Sequence, residues 1–325
     1  YLLGSVLLYL AFAMLIPLLW AMWEKGAERL DFSMVVVLTI CTAWLLLRAG
    51  EPPAELRREE SFAFVTIAWL LVSLFSALPY YFAGSVPTMI DAYFEAMSGF
   101  TTTGATVIAS VEQQPQSILL WRALTHWLGG MGILVFTLAV LPAIGVGGMQ
   151  IYKAEAAGPT ADKLVPRLAN TAKLLYTVYL GITVTGIAVL LIAGVTPFES
   201  VVLGLGTVGT GGFFIYNDSI GVFNQDSHIV WILTTLMIVS GINFALYYEL
   251  WQRRWQSVRV NSELKLYLTI VLVSGLLITA NLMYAVPGGA GFWENAKHAF
   301  FQVASIITTT GYTTVDFNQW PEFSK

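Results

Sequence analysis

The sequence predicts an all-α polytopic membrane protein in which one unit, made of a span, a short helix, an extended tract and a second span, is repeated. The first observation is composition: 57% of the residues are hydrophobic, 11% are charged, and the mean hydropathy is +0.71. A soluble domain of this length is far less apolar. The second is a series of long apolar runs, and the third is a Thr/Gly-rich tract that recurs at intervals of roughly 100 residues.

Seven apolar runs are long enough, or nearly so, to cross a bilayer core, which needs roughly 20 helical residues. They are Leu2 to Trp23, Phe32 to Leu47, Phe62 to Phe82, Ile118 to Leu141, Leu174 to Ala193, Ile229 to Leu250 and Leu264 to Val286. The second run is the shortest and contains Cys41. We expect seven spans.

Three further segments between these runs are too short to cross. They are Met89 to Phe100, Phe198 to Gly206 and Phe292 to Ile307. A helix of about 12 residues covers only about 18 Å, which is typical of a re-entrant helix that enters and leaves on the same side. Each segment leads into one of the Thr/Gly tracts.

The three tracts are the strongest functional signal in the chain. They read Phe100 to Thr106, Thr207 to Phe213 and Thr308 to Thr314, and they place Gly104, Gly211 and Gly311 in register. Extended backbone at membrane depth must be buried in protein or line a water-filled cavity. Glycine leaves carbonyl oxygens free to face such a cavity, threonine adds hydroxyl oxygens, and rings of these oxygens can replace the hydration shell of a monovalent cation. Each preceding helix also directs the negative end of its dipole toward the cavity.

The basic residues predict the orientation, because Lys and Arg accumulate in cytoplasmic loops. They lie before the first unit and between units: Arg48, Arg57, Arg58, Lys153, Lys163, Arg167, Lys173, Arg253, Arg254, Arg259 and Lys265. Residues 107–117 and 214–228, which follow the first two tracts, contain none. We therefore expect those two segments to face outside.

These patterns predict four parts. Residues 1–50 form a transmembrane helical hairpin, 51–150 a first pore unit, 151–260 a second pore unit with a cytoplasmic connector over Gln150 to Lys173, and 261–325 a third, truncated unit. We expect the sequence to be a fragment that lacks the C-terminal part.

Acidic residues near the re-entrant helices have ordinary structural interpretations. Asp91, Glu199 and Glu294 lie early in these helices, where a carboxylate caps the N-terminus; attraction of cations at the outer mouth is a weaker alternative. Glu95 lies deeper, aligns with Val202 and Gln302, and is expected to be a satisfied helix residue, although an ionisable group inside a membrane is a functional candidate by default.

Polar and small residues inside the spans are also interpreted structurally. Arg122 and His126, one helical turn apart, are expected to be an interface anchor and a satisfied polar contact. Leu128 to Gly132 and Ser240 to Phe244 favour close helix packing, with a hinge as the alternative, and Asn243 is a candidate to brace backbone freed by a break.

Together these residues resemble the membrane subunit of the Trk/Ktr/HKT potassium-transporter superfamily, most closely its bacterial Trk branch. The resemblance covers nearly the whole chain. It rests on Ser98 to Thr106, His126 to Gly132, Gly211 to Phe213 and Ser305 to Thr314, and on the N-terminal helix pair.

The resemblance implies a pseudo-fourfold pore of four units, K⁺ as the transported ion with no organic cofactor, a homodimer, and a cytoplasmic NAD- or ATP-type nucleotide-binding regulatory ring. It implies a multi-pass protein of the bacterial inner membrane. A serine at the first filter glycine goes with sodium preference in plant relatives, so the three glycines resemble the potassium-preferring type. By this similarity the K⁺-binding filter residues are Thr102, Thr103, Gly104, Gly209, Thr210, Gly211, Thr309, Thr310 and Gly311. The fourth unit and the gating loop after the third tract are expected beyond the sequence.

Other classes of function fit less well. A net charge of −4 gives no footprint for nucleic acid, and the single cysteine allows no disulfide or zinc site. The sequence has no HExxH or GxSxG motif, so we expect no enzyme. The main alternative is a secondary transporter that moves a small solute with Na⁺ or H⁺, which would require inverted repeats and ionisable residues at mid-span.

Overall fold

The computed structural model describes residues 1–52, 58–132, 168–285 and 291–325. Within these ranges all regular secondary structure is helical. The chain divides into two compact units, residues Tyr1–Thr177 and Val178–Lys325. Residues 150–167 of the predicted cytoplasmic connector, and the end of the fourth predicted span beyond residue 132, lie outside the described residues.

The first unit begins with a helical hairpin. Helix α1, Leu2–Glu24, ends at Lys25, which has left-handed backbone with φ 57°, and α2 follows at Glu28–Ala49. The two helices pack closely, since a methyl group on Gly4 would lie 2.8 Å from the carbonyl oxygen of Ala43. The two packed helices lie within residues 1–50.

The rest of the first unit consists of α3, Arg58–Phe82, the short helix α4, Met89–Phe100, and α5, Gln116–Gly130. Helix α4 packs against both α3 and α5, and α1 also contacts both of these longer helices. The bounds of α4 match the predicted re-entrant segment.

Helix α6, Leu168–Ile192, leads into the second unit. The remaining helices are α7, Pro197–Val208; α8, Ser227–Ser240; α9, Phe244–Trp251; α10, Trp255–Val260; α11, Ser262–Ala285; and α12, Phe292–Ile307. The short helices α7 and α12 lie at the positions of the other two predicted short segments, and α12 packs against α8 and α11. Single 3₁₀ turns at Val111–Gln113, Ser219–Phe223, Phe317–Gln319 and Glu322–Ser324 complete the described elements.

Five helices in the described part of the chain are long and apolar enough to cross a membrane: α1, α2, α3 over Phe62–Phe82, α6 over Lys173–Ile192, and α11. These are five of the seven predicted spans. Their outer faces are apolar, as Leu38, Leu272 and Leu277 illustrate with exposures of 46%, 54% and 50%. Large apolar side chains on exposed helix faces suit a lipid environment.

The sixth predicted span, Ile229 to Leu250, is not continuous. It breaks at residues 241–243 into α8 and α9. A methyl group on Gly241 would lie 2.7 Å from both the Tyr267 hydroxyl and the Thr308 side chain, so the backbone approaches its neighbours closely here. The close packing expected for this segment is therefore present at Gly241, and the helix is also interrupted there.

Two tyrosines compensate for the hydrogen bonds lost at this break. The Tyr267 hydroxyl donates to the carbonyl of Ile238 at 3.0 Å, and the Tyr247 hydroxyl donates to the carbonyl of Val239 at 2.5 Å. Carbonyls at the end of a helix in a membrane need such partners. Asn243 lies at the break, and its amide is 3.4 Å from the Glu263 carboxylate.

Candidate functional site

Each of the three short helices ends where a Thr/Gly tract begins. The residues that follow them directly are Thr101 after α4, Gly209 after α7 and Thr308 after α12. Because the last carbonyls of a helix have no helical partner and carry partial negative charge, each tract starts beside an electronegative helix end. This is the arrangement that the sequence predicted for a cation site.

The backbone of the three tracts follows one pattern. Left-handed residues occur in pairs separated by one residue: Thr102 and Gly104, Thr210 and Gly212, Thr309 and Gly311. The φ angles lie between 50° and 84°. For threonine this region is uncommon, and its recurrence at equivalent positions shows that the tracts are structural repeats.

This pattern corrects the sequence register by one residue in the second tract. Gly212, with φ 80°, is the equivalent of Gly104 and Gly311, whereas Gly211 is not in the left-handed region. Gly211 therefore corresponds to Thr103 and Thr310. The sequence alignment was ambiguous because Gly211 and Gly212 are adjacent. The helix ends remove the ambiguity: in each unit the left-handed glycine is the fourth residue after the last residue of the short helix. In this register Glu95 aligns with Leu203, not Val202.

The amide groups at the start of each tract fold back onto the helix. The Thr103 amide donates to Ser98 at 2.9 Å, the Gly211 amide to Gly206 at 3.1 Å and the Thr310 amide to Ser305 at 2.8 Å. Within the described part of the chain, no donor is bound to the carbonyl oxygens of Thr102, Thr103, Gly104, Thr210, Gly211, Gly212, Thr309, Thr310 and Gly311. Backbone carbonyls are obligate acceptors, so these oxygens are available to a ligand.

Hydroxyl pairs stiffen the first and third tracts. Thr101 and Thr103 pair through their hydroxyls at 2.8 Å, and Thr308 and Thr310 do so at 2.7 Å. The second tract has Gly209 and Gly211 at these two positions. It therefore lacks the side chains that form this pair.

A serine hydroxyl of the preceding helix also holds the far end of two tracts. Ser98 donates to the carbonyl of Ala105 at 2.6 Å, and Ser305 donates to the carbonyl of Tyr312 at 2.7 Å. At the equivalent position the second unit has Gly206, where an added methyl group would lie 2.6 Å from the Tyr312 hydroxyl. Packing against the neighbouring tract takes the place of the serine there.

The second and third tracts are in direct contact. A methyl group on Gly212 would overlap the carbonyl oxygen of Thr310, and the fully buried Tyr312 donates to the carbonyl of Phe213 at 3.4 Å. Beyond the tracts, the amide of Ile220 donates to the carbonyl of Thr313 at 3.0 Å. The second and third tracts thus lie side by side within residues Val178–Lys325.

In the first unit the small residues of α5 support the tract. A methyl group on Gly129 would overlap the carbonyl of Phe100, the last residue of α4. Gly129 therefore allows α5 to lie directly against the end of the short helix. Close packing, the favoured interpretation of this glycine segment, is confirmed at this position.

The predicted capping by acidic residues is confirmed for two of three. The Asp91 amide donates to the Thr88 hydroxyl at 3.1 Å and that hydroxyl pairs with the Asp91 carboxylate, while Glu199 and Thr196 form a complete capping box. Glu294 lies in the first turn of α12, but its carboxylate pairs with Lys297 and with His298 at 3.0 Å.

The interpretation of Arg122 as an interface anchor is wrong. Its side chain is 2% exposed, and its Nε atom lies 2.8 Å from the carboxylate of Glu95, which is fully buried. The pair holds the segment after Gly104: Thr106 donates to Glu95 at 3.0 Å, the Val107 amide donates to it at 3.0 Å, and Arg122 contacts the Thr106 hydroxyl at 3.2 Å. His126 is buried, one turn further along. The sequence singled out both residues but did not show that they pair, because they lie 27 positions apart.

An exposed acidic loop follows the third tract. Asp316 and Asp218 line a cavity of about 240 Å³ together with Asn217 and Thr313. Hydrogen bonds from the side chain and amide of Asn318 hold the pKa of the Asp316 carboxyl below its ordinary value. This carboxylate is therefore ionised at neutral pH and gives the loop negative charge.

Comparisons with known proteins agree with this geometry. The TrkH family, described as "Cation transport protein", matches residues 30–286. The chain is 33% identical over 331 residues to the Trk system potassium uptake protein TrkH of Vibrio parahaemolyticus, covering 98% of this chain and 67% of the relative. It is 34% identical to TrkH of Escherichia coli K12, covering 98% and 67%, and 32% identical to TrkG of the same strain, covering 98% and 66%.

The crystal structure of the potassium transporter TrkH from Vibrio parahaemolyticus superposes with a TM-score of 0.83 at 28% identity, covering 99% of this chain and 66% of that one. The chain thus spans about two thirds of the length of these relatives. The match of sequence over nearly the whole chain, and of fold at the same time, is specific to one family. The chain belongs to the TrkH family of cation transport proteins.

Proposed function

We propose that this protein carries K⁺ into the cell as the membrane subunit of a Trk-type potassium uptake system, and that it does so through the three tracts. It is a multi-pass protein of the bacterial inner membrane. The observation that carries the proposal is the set of backbone carbonyls that accept no hydrogen bond within the described residues, repeated in three tracts of equal geometry. Such oxygens can replace the water around a dehydrated K⁺ ion.

The proposed ion-binding residues follow the corrected register. They are Thr102, Thr103 and Gly104 in the first tract, Thr210, Gly211 and Gly212 in the second, and Thr309, Thr310 and Gly311 in the third. Gly212 enters this set in place of Gly209, which is the first residue after its helix. The contact of Gly212 with Thr310 supports a shared ion path for the second and third tracts.

The larger assembly is proposed on the family relationship. The three units would form part of a pseudo-fourfold pore, with the four sequence parts at 1–50, 51–150, 151–260 and 261–325. A homodimer and a cytoplasmic nucleotide-binding regulatory ring would complete the system. The relatives' names place them in a "Trk system", which supports a protein that works with other components.

A coupled transporter is supported less well. The break between α8 and α9 resembles the discontinuous helices of such proteins. However, the carbonyls of Ile238 and Val239 at this break already accept hydrogen bonds from tyrosines. The break therefore has a structural role that needs no bound co-substrate.

Ion flux in liposomes tests the proposal. The full-length protein would be reconstituted, and uptake of radioactive Rb⁺ measured with K⁺ or Na⁺ as competitor and with no Na⁺ or proton gradient. We expect uptake that K⁺ suppresses far better than Na⁺. Uptake that depends on a Na⁺ or proton gradient together with a second solute would overturn the proposal in favour of a coupled transporter.

A further inference from the structure

The residues that follow the left-handed glycine of each tract are linked to an acidic residue of the preceding short helix, either directly or through one other side chain. We call these segments the flanks: residues 105–107, 213–216 and 312–314. In the first unit Glu95 of α4 accepts hydrogen bonds from the Thr106 hydroxyl and the Val107 amide, both at 3.0 Å. Arg122 balances the buried carboxylate and also contacts Thr106.

The third unit reaches the same result through an intermediate side chain. The carboxylate of Glu294 lies 3.0 Å from one ring nitrogen of His298, and the other ring nitrogen lies 2.8 Å from the Thr314 hydroxyl. Lys297, with only 1% of its side chain exposed, pairs with Glu294 and donates to the carbonyl of Asn224 at 2.8 Å. The Asn224 amide in turn donates to the carbonyl of Thr314 at 2.7 Å, so the flank is held from two sides.

The second unit uses a tyrosine. The Tyr216 hydroxyl donates to the Glu199 carboxylate at 2.8 Å, and the same carboxylate completes the capping box with Thr196. The acids in the three units occupy different positions along their helices; Glu95 and Glu199 bind the flank of their own tract directly, and Glu294 is linked to it through His298. What the three units share is a link between a carboxylate of the short helix and the flank, and not a carboxylate at one aligned position.

We propose that Glu95, Glu199 and Glu294 are positioning residues that hold the outer end of each tract and thereby set its preference for K⁺. This inference rests on the proposed function of the tracts. The tract carbonyls have no protein donor within the described residues, so hydrogen bonds of their own do not fix their positions. The inner end of each tract is fixed by amides that bond to the short helix, and the outer end is fixed at the flank.

The strength of these contacts suits the role. Hydrogen bonds to an ionised carboxylate are roughly twice as strong as neutral ones, and burial strengthens them further at Glu95, which is fully buried, but not at Glu294, which is 44% exposed. Selectivity between K⁺ and Na⁺ depends on the geometry and field of the coordinating oxygens. A flank released from its carboxylate would let the tract adapt to the smaller ion, so we expect loss of selectivity while flux remains.

The experiment compares two acids of the same short helix. Glu95→Gln removes the charge that binds the flank, and Asp91→Asn removes a charge whose hydrogen-bond partner among the described residues is Thr88. Both variants of the full-length protein would be assayed for Rb⁺ uptake in liposomes with Na⁺ and K⁺ competition. We expect the K⁺ preference over Na⁺ to fall about fivefold in Glu95→Gln, which corresponds to about 1 kcal/mol, and to stay at the wild-type value in Asp91→Asn.

A second variant keeps the test decisive if Glu95→Gln does not fold, because that change leaves Arg122 buried without its counter-charge. Tyr216→Phe removes a single hydroxyl and leaves the Glu199 cap in place. We expect it to elute as a single species and to lose about threefold of the K⁺ preference. Selective wild-type protein together with a folded Tyr216→Phe variant of unchanged K⁺ preference would overturn this inference alone, whether or not Glu95→Gln folds. A wild-type protein without K⁺ preference would overturn the proposed function itself.

Discussion

At the scale of single residues, position relative to the tracts decides what a charge does. Glu95 and Arg122 are buried and hold a flank, whereas Asp316 lies on the exposed loop after the third tract. Glu95 and Arg122 act through their hydrogen bonds to the flank. We expect Asp316 to act through its electric field on ions in the surrounding water, which salt screens over about 10 Å at 0.1 M.

Replacement of Asp316 by Asn should slow uptake only at low salt. The carboxylate is ionised at neutral pH because hydrogen bonds from Asn318 favour its charged form, and an exposed negative charge raises the local concentration of cations. We expect the initial rate of Rb⁺ uptake to fall about twofold at 10 mM ionic strength and to match the wild type at 0.5 M. An equal reduction at both salt concentrations would contradict an electrostatic role.

Prediction from the sequence succeeded for residues whose role follows from local context. Asp91 and Glu199 were assigned as caps because an acid in the first helical turn has few other uses, and the structure confirms both. Arg122 was misassigned because its partner is 27 positions away in the sequence, and spacing alone does not show which face of α5 meets α4. Gly212 was missed because Gly211 and Gly212 are chemically identical, and only their φ angles distinguish them.

At the scale of elements, glycines set how closely the helices approach the tracts. Gly129 of α5 lies against the last residue of α4, and Gly241 lies at the break between α8 and α9. The sequence left packing and hinge open for both segments. The structure assigns packing to the first and a break to the second, a difference that depends on the neighbouring side chains.

An alanine at Gly129 should destabilise the first unit. The added methyl group would overlap the carbonyl of Phe100, so either α5 or the end of α4 must move. Overpacking of this kind costs about 1–3 kcal/mol. Gly181→Ala in α6 is the matched control, because no described residue lies within 4 Å of its added methyl group and alanine favours the helix. Thermal unfolding in detergent should show a lower Tm for Gly129→Ala alone, and equal Tm values for both variants would contradict this view of α5.

The tyrosines at the helix break should matter through their hydroxyls. Tyr267→Phe removes the donor to Ile238 and leaves a part-buried carbonyl without this partner, at a cost of about 1 kcal/mol. The matched control is Tyr284→Phe on the same helix, whose side chain is 88% exposed. We expect a lower Tm for Tyr267→Phe only. A wild-type Tm for Tyr267→Phe would mean that the freed carbonyl finds water, and that the break is not held by this tyrosine.

At the scale of the whole molecule, composition and repetition were enough to predict the class of fold. The long apolar runs predicted the five long helices, and the smaller number of residues in the other three segments predicted short helices. The broken sixth span was not predicted, because hydropathy does not register a break whose carbonyls are satisfied by tyrosines from elsewhere in the chain. The contact between the second and third tracts could not be predicted from the sequence either, because it joins residues about 100 positions apart.

The central claim is that the tract glycines select the ion, and Gly311→Ser tests it most directly. Among the described residues no atom lies within 4 Å of a methyl group added at Gly311, so the serine fits there, and its left-handed φ of 84° costs about 1–2 kcal/mol. Gly212→Ser is the contrasting variant, because its side chain would overlap Thr310 and should prevent folding. Rb⁺ uptake by the full-length Gly311→Ser protein, with Na⁺ and K⁺ as competitors, should persist with its K⁺ preference lost. A folded Gly311→Ser protein that keeps the wild-type preference would contradict the assignment of the tracts as the selectivity filter.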